Sequence, residues 1–271
     1  MEQNVLLYAV GHLSLRVGQM HRDPDEFENI DRPIVGVGND YPPSFELALH
    51  SHRRGQLLHA SRGVIAVSTP EGAWVTPPER AIWIPAGTPH AVRMVGTVST
   101  RSVMITMDMA SGLGRKCQVI GVSPLLKLLL AEAAELPVEY DTDGRDGLVM
   151  QLLIAEIEQA PNVGLAVPFP ASEALAAHCH RFLEQPNATA TIDEWADAMA
   201  MNRRSFTRLF RRETGMSFAE WRQQACLAAA LPRLAAGEPI IAIALDLGYE
   251  SSTSFSTMFK RIVGTSPSRH R

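Results

Sequence analysis

The sequence predicts an α+β protein in which a small antiparallel β-barrel or sandwich is followed by an all-α domain with two helix-turn-helix motifs. Three observations point there. Short runs rich in Val, Ile and Thr, broken by Gly and Pro, fill the stretch from Ile34 to Asp108. Helical patterns take over from Ser123 onward, and the last hundred residues contain an internal repeat. The chain has 271 residues, 46% hydrophobic and 20% charged, which suits a globular protein of one large or two ordinary domains. No run of about 18 uncharged apolar residues exists, so no membrane partner is expected. The first twenty residues lack the order of an export signal, and Cys117, Cys179 and Cys226 are widely scattered. Together these favour a cytoplasmic location and exclude a disulfide framework, a Cys-based zinc site and thiol catalysis.

The β region reads as LLHASRGVIAVSTPEG, GAWVTPPERAIWIPAG, HAVRMVG and TRSVMITMDM, each run ended by turn residues. The first helix is predicted over SPLLKLLLAEAAEL, with Ser123 as N-cap and Pro124 at N1. Its apolar face suits either a partner helix in a homodimer or packing inside the monomer. A second helix, Arg145 to Gln159, follows a polar DTDG turn. Pro161, Gly164, Pro168 and Pro170 then fall close together in PNVGLAVPFPAS, which reads as a linker between domains. The expected division is a β domain over 1–112, a helical connector over 113–160, a linker over 161–170 and a helical domain over 171–271.

The repeat lies in that last part. Phe206-Thr-Arg-Leu-Phe210-Arg-Arg-Glu-Thr-Gly215-Met-Ser217 aligns, 49 residues on, with Phe255-Ser-Thr-Met-Phe259-Lys-Arg-Ile-Val-Gly264-Thr-Ser266. Each copy opens with a short amphipathic helix, turns tightly at Ala200-Met201-Asn202 or Gly248-Tyr249-Glu250, and continues as a second helix. Apolar residues recur at i, i+3 and i+4 in that second helix, giving one buried stripe. The outward positions of the first copy are Arg203, Arg204, Thr207, Arg208, Arg211 and Arg212. Two helices joined by so short a turn place the second in a DNA major groove, where Arg grips guanine bidentately or neutralises phosphate. Charge agrees: residues 201–271 hold eleven Lys/Arg against five Asp/Glu, a net of +6, on a body of net −10.

These residues resemble the double helix-turn-helix DNA-binding domain of the AraC/XylS family of bacterial transcription regulators. The likeness covers about a third of the chain and rests on RRSFTRLFRRETGMS and on IIAIALDLGYESSTSFSTMFKRIVGTSPSRHR. It implies base contacts from Arg204, Thr207 and Arg208 with Arg203 near phosphate, and outward positions Ser252, Thr253 and Ser256 in the second unit. Lys260, Arg261, Arg211 and Arg212 add cationic contacts to a double-stranded operator. An Arg is usual in the family where Thr257 stands, so the second unit is expected to read fewer bases. The segment WRQQACLAAALPRLAAG would join the two units as one helix, with Pro232 expected to kink it or end it early.

His50-Ser-His52-Arg-Arg-Gly-Gln56 and Pro85-Ala-Gly87-Thr-Pro-His90 are similar to the two half-motifs of a cupin barrel. That resemblance implies a cupin-like β-barrel sensor with three His and a fourth residue, here Gln56 in place of Glu, around one divalent metal. Three neutral imidazoles suit Zn, Ni, Co, Fe or Cu, and a Gln carbonyl is a weak, uncharged ligand. On a strand His50 and His52, two apart, would point the same way. Three readings stand: a bound metal, a metal-free pocket whose histidines hold an effector, and structural histidines. Trp74 and Trp83 are candidates to line an effector pocket, against ordinary core. The fused DNA-binding unit favours a non-enzymatic sensor of a small molecule. The competing class is a metal-dependent cupin enzyme with an accessory helical module, and a third is an architectural binder without sequence preference. Gly36-Val37-Gly38-Asn39 is no dinucleotide loop, and His178-Cys179-His180 diverge around a helix and cannot share a metal.

Overall fold

The computed structural model describes residues 27–270. The first twenty residues, and with them the start of the expected 1–112 domain, lie outside that range. The β region forms one antiparallel sheet of eight strands: β1 (Ile34–Tyr41), β2 (Glu46–His50), β3 (Gly55–Thr69), β4 (Gly72–Thr76), β5 (Arg80–Ile84), β6 (His90–Ile105), β7 (Gln118–Gly121) and β8 (Ala166–Pro168). The long strands β3 and β6 are its frame, because they pair with each other and carry β1, β2, β4 and β5 on their free edges. Register breaks in β3 near Ala60, Arg62 and Val64 bend this frame.

The sheet does not close, which corrects the expected barrel. Among the described residues β1 pairs only with β6 and β8 only with β4, so both remain edges. Helices cover one face of the open sheet. Helix α1 (Pro124–Glu135) lies so close to β1 that a Cβ on Gly36 would stand 1.8 Å from the Ala133 carbonyl oxygen. That approach explains the glycine. Leu126 and Leu130 of α1, with Leu153 and Ile157 of α2 (Arg145–Gln159), bury Leu57, Trp83 and Val103 on this side of the sheet.

The segment expected to link the two parts, 161–170, carries sheet pairings of its own. Residues 166–168 form strand β8 on β4, and Asn162 bridges to Ile120, so the segment belongs to the sheet. A three-residue edge strand ending in Pro168 has no alternation to betray it, and an edge tolerates the missing N–H.

Beyond it run α3 (Glu173–Glu184), α4 (Ile192–Ala198), α5 (Arg203–Thr214), α6 (Phe218–Ala235), α7 (Ile240–Asp246) and α8 (Ser252–Val263). Helix α6 continues through Pro232 for a further turn, so the proline does not end it early. Leu227, Leu231 and Leu234 are buried on either side of the proline, and that burial offsets the one backbone bond it removes. The helical part rests on the sheet: Trp221 Nε1 donates to the Pro168 carbonyl at 2.8 Å, and Arg80 Nη2 to the Val263 carbonyl at 3.0 Å. No helix among the described residues is long and apolar enough to cross a membrane.

Candidate nucleic-acid interface and histidine cluster

Helix α5 starts where Asn202 accepts the Ser205 N–H and stops at Gly215, whose φ of 75° is left-handed. Phe206, Phe210 and Thr214, at i, i+4 and i+8, are buried against Trp195 of α4 and Phe218 and Trp221 of α6. With that stripe inward, Arg203, Arg204, Thr207, Arg208, Arg211 and Arg212 are all exposed, as the spacing predicts. Their chemistry is not uniform. Arg203 is held by Asp193 at 3.1 Å, Arg212 by Glu213 at 3.1 Å, and the Thr207 hydroxyl donates to the Arg203 carbonyl. Arg204, Arg208 and Arg211 form no ion pair among the described residues and, at i, i+4 and i+7, make one open guanidinium stripe.

Helix α8 is built alike, from a Ser251–Ser254 capping box to left-handed Gly264, with Phe255, Met258, Phe259 and Val263 inward. Thr253, Lys260 and Arg261 are exposed, while Ser252 and Ser256 are half-buried. Arg261 donates to the Gln223 side chain of α6 at 2.7 Å, a contact the sequence pattern did not indicate. The outer face of α8 is thus hydroxyl-rich where that of α5 is guanidinium-rich.

The three histidines do meet. Ligand-capable nitrogens of His50, His52 and His90 all lie within 4.8 Å of one another. The alternation expected for His50 and His52 is not the cause, since β2 ends at His50 and His52 sits in the following loop. That loop is tied to the Pro85–His90 turn by the Gly87 N–H, which donates to the His52 carbonyl at 2.7 Å. The Nδ1 of His50 lies 2.7 Å from the Ala48 carbonyl and that of His90 lies 2.9 Å from the Thr88 carbonyl. Donation there leaves each Nε2 with a free lone pair, and the His90 Nε2 is buried without a hydrogen-bond partner among the described residues. Burial, abetted by the His50 and His52 imidazoles and opposed by the Thr88 bond, pushes His90 down to about 4. It is neutral at pH 7.

Gln56 is buried opposite Ile84 and Met104, and no hydrogen bond joins it to the imidazoles among the described residues. Trp74 and Trp83 do not line one pocket, because strand alternation turns them to opposite sides of the sheet. Trp74 lies opposite Val67 in one core, whereas Trp83 sits under α1 and α2 and donates to the Gly114 carbonyl.

Comparison with known proteins bears on most of the chain. A family described as "Helix-turn-helix domain" matches residues 195–271, from α4 through α8. The HTH-type transcriptional regulator NimR of Escherichia coli strain K12 is 31% identical over 222 residues, 82% of this chain and 81% of that one. A putative AraC-like transcription regulator of Streptomyces antibioticus is 25% identical over 197 residues, 70% of this chain and 55% of that one. The chain belongs to the AraC family of transcription regulators. Among solved structures, ToxT from Vibrio cholerae aligns over 88% of this chain and 98% of its own, at 11% identity and a TM-score of 0.37. Because the NimR likeness is far longer than the helix-turn-helix match, this AraC-family chain shares more than a DNA-binding module with its relatives. Its α4–α5 pair is the part of the DNA-binding region whose free charges are most concentrated.

Proposed function

We propose that this AraC-family regulator binds its operator through both helix pairs, α5 reading bases and α8 mainly holding phosphate. The observation that carries the reading is the open stripe of Arg204, Arg208 and Arg211 on a helix whose opposite face is locked into an aromatic core. Thr207 and the paired Arg203 and Arg212 flank that stripe. On α8, Lys260 and Arg261 supply charge, and Ser252, Thr253 and Ser256 supply short hydroxyls suited to backbone oxygens.

The cupin-like sheet is the sensing half, acting without turnover. Its effector shifts the balance between two arrangements of the halves. His50, His52 and His90 fit a divalent ion: two Nδ1 anchors leave Nε2 lone pairs within the cluster, that of His90 buried and without a hydrogen-bond partner among the described residues. Zn, Ni, Co, Fe or Cu bound there would supply a Lewis-acidic centre for an oxygen or nitrogen of the effector. Exposed Leu125 and Leu128 on α1 and Leu148 and Leu152 on α2 form the face on which two copies would pair. A DNA partner and three free cysteines suit the cytoplasm.

The test is an anisotropy titration at fixed physiological salt, using duplexes from the region flanking the protein's own gene and a scrambled duplex. One natural site should bind at least about 10³-fold more tightly than the scramble. Arg208→Ala should weaken that site by about 1–3 kcal/mol and relax one base position, while hardly touching the scramble. Equal binding of every duplex would leave an architectural binder instead.

A further inference from the structure

Helix α5 ends in a three-residue turn from which α6 starts, and the last turn of α8 is tied to the same stretch of α6 by one hydrogen bond. The Arg261 guanidinium donates from Nη2 to the Gln223 side-chain oxygen at 2.7 Å. We infer that Gln223 is a positioning residue for DNA binding, which aims the Arg261 guanidinium at the phosphate backbone crossing between α5 and α8.

The type of side chain at 223 carries the argument. Arg261 is exposed and forms no ion pair among the described residues, and the half-buried Gln223 is a neutral acceptor. One of five guanidinium N–H groups is spent on it, so the positive charge stays whole and the other donors remain available. A carboxylate in the same place would hold the guanidinium as firmly but pair its charge, as Asp193 and Glu213 do for Arg203 and Arg212. An untethered surface arginine loses rotamer freedom when it meets a phosphate. A tether that selects one rotamer beforehand removes part of that cost.

Glu220 lies three residues before Gln223, on the same face of α6, and marks where the two helix ends meet. Its carboxylate accepts from the Ser217 hydroxyl at 2.7 Å and from the Ser217 N–H at 2.9 Å. Those two bonds hold the carboxyl below the usual carboxylate range, burial opposes them, and attraction to Arg211 and Arg261 deepens the fall. Arg211, the last member of the open stripe on α5, and Arg261 of α8 thus flank one exposed carboxylate. Two helices in successive major grooves leave a phosphate strand crossing between them, and these guanidinium groups stand on the ends that face it.

The inference deepens the proposed function and rests on its reading of Arg261 as a phosphate contact. The test measures anisotropy of the full chain on the gene-flanking duplex and on its scramble, over a series of salt concentrations. Arg261→Ala should weaken both duplexes about tenfold and lower the salt slope by about 1, because phosphate carries no sequence information. Gln223→Leu should weaken both about threefold in the wild-type background and less than about 1.5-fold in the Arg261→Ala background. Gln223→Glu keeps an acceptor for Arg261 but pairs its charge, so the salt slope should fall by about 1 while Tm stays at or above the wild-type value. A residue that merely braces α8 against α6 would leave the Gln223→Glu slope unchanged, and that result overturns the inference alone. A Gln223→Leu loss of equal size with and without Arg261 does the same. Arg261→Ala with unchanged binding and slope overturns the phosphate role of α8 and the inference together.

Discussion

The decisive detail at the histidine cluster is which ring nitrogen each imidazole spends on the backbone. His50 and His90 both direct Nδ1 to a carbonyl two residues earlier, which leaves Nε2 of each as a lone-pair donor. Buried ring nitrogens are ordinarily hydrogen-bonded, and the His90 Nε2 has no partner among the described residues. Protein equilibrated with Zn²⁺ and then dialysed should retain about one equivalent, measured by elemental analysis, and His90→Ala should weaken retention at least about tenfold. Gln56→Ala should leave retention within about twofold, since Gln56 is paired with Ile84 and Met104 in the sheet and no hydrogen bond joins it to the rings among the described residues. Wild-type protein that emerges metal-free would sink the metal and leave the cluster to an organic effector.

The two helix pairs show how a repeat is legible in sequence and where it slips. The stripes Phe206–Phe210 and Phe255–Phe259 keep the 49-residue offset, because burial enforces the helical period. The preceding helices and turns match at 48 instead: α4 starts at 192 and α7 at 240. Met201 N–H donates to the Ala196 carbonyl as Tyr249 N–H donates to that of Ala244. The extra residue before α8 is invisible to letter matching. The same limit explains the misreadings in the sheet. Alternation fixes which residues share a face, but not which face turns inward, so Trp74 and Trp83 could not be separated by inspection. Closure depends on pairings between distant segments, and β8 is too short to announce one. The matched turns also carry a prediction. Gly248 and Ala200 occupy the same left-handed position, at φ of 77° and 51°, and only glycine does so without strain. Ala200→Gly should therefore stabilise the protein by about 0.5–1 kcal/mol in a denaturant titration, with operator affinity unchanged. A loss of stability would show that Ala200's methyl group packs more than its backbone strains.

At the scale of the molecule, the question is how the sheet communicates with helices that touch DNA. Arg80 on β5 offers one route, because its Nη2 reaches the carbonyl of Val263 in the last turn of α8. A guanidinium there meets both an orphaned carbonyl and the negative end of the helix dipole. Burial draws Arg80 below its usual value, with Glu79 opposing that fall, and it remains charged at any physiological pH. Beside it, His270 lies 4.0 Å from Glu79 and shares a hydrogen bond with Thr265, so the segment after α8 is clasped by the same turn of the sheet. Removing the guanidinium strands the Val263 carbonyl and loosens this clasp without altering any residue proposed to contact DNA. Arg80→Ala should cost about 1–2 kcal/mol, a fall of about 2–4 °C in Tm for a chain of this size, and should change operator affinity as well. Arg115→Ala, at an exposed position with no ion pair among the described residues, should do neither. Calorimetry and anisotropy on the same preparations separate the outcomes: a Tm loss with unchanged operator affinity makes Arg80 a mere fastener, whereas a joint change makes the β5–α8 contact part of the path from sensing to DNA.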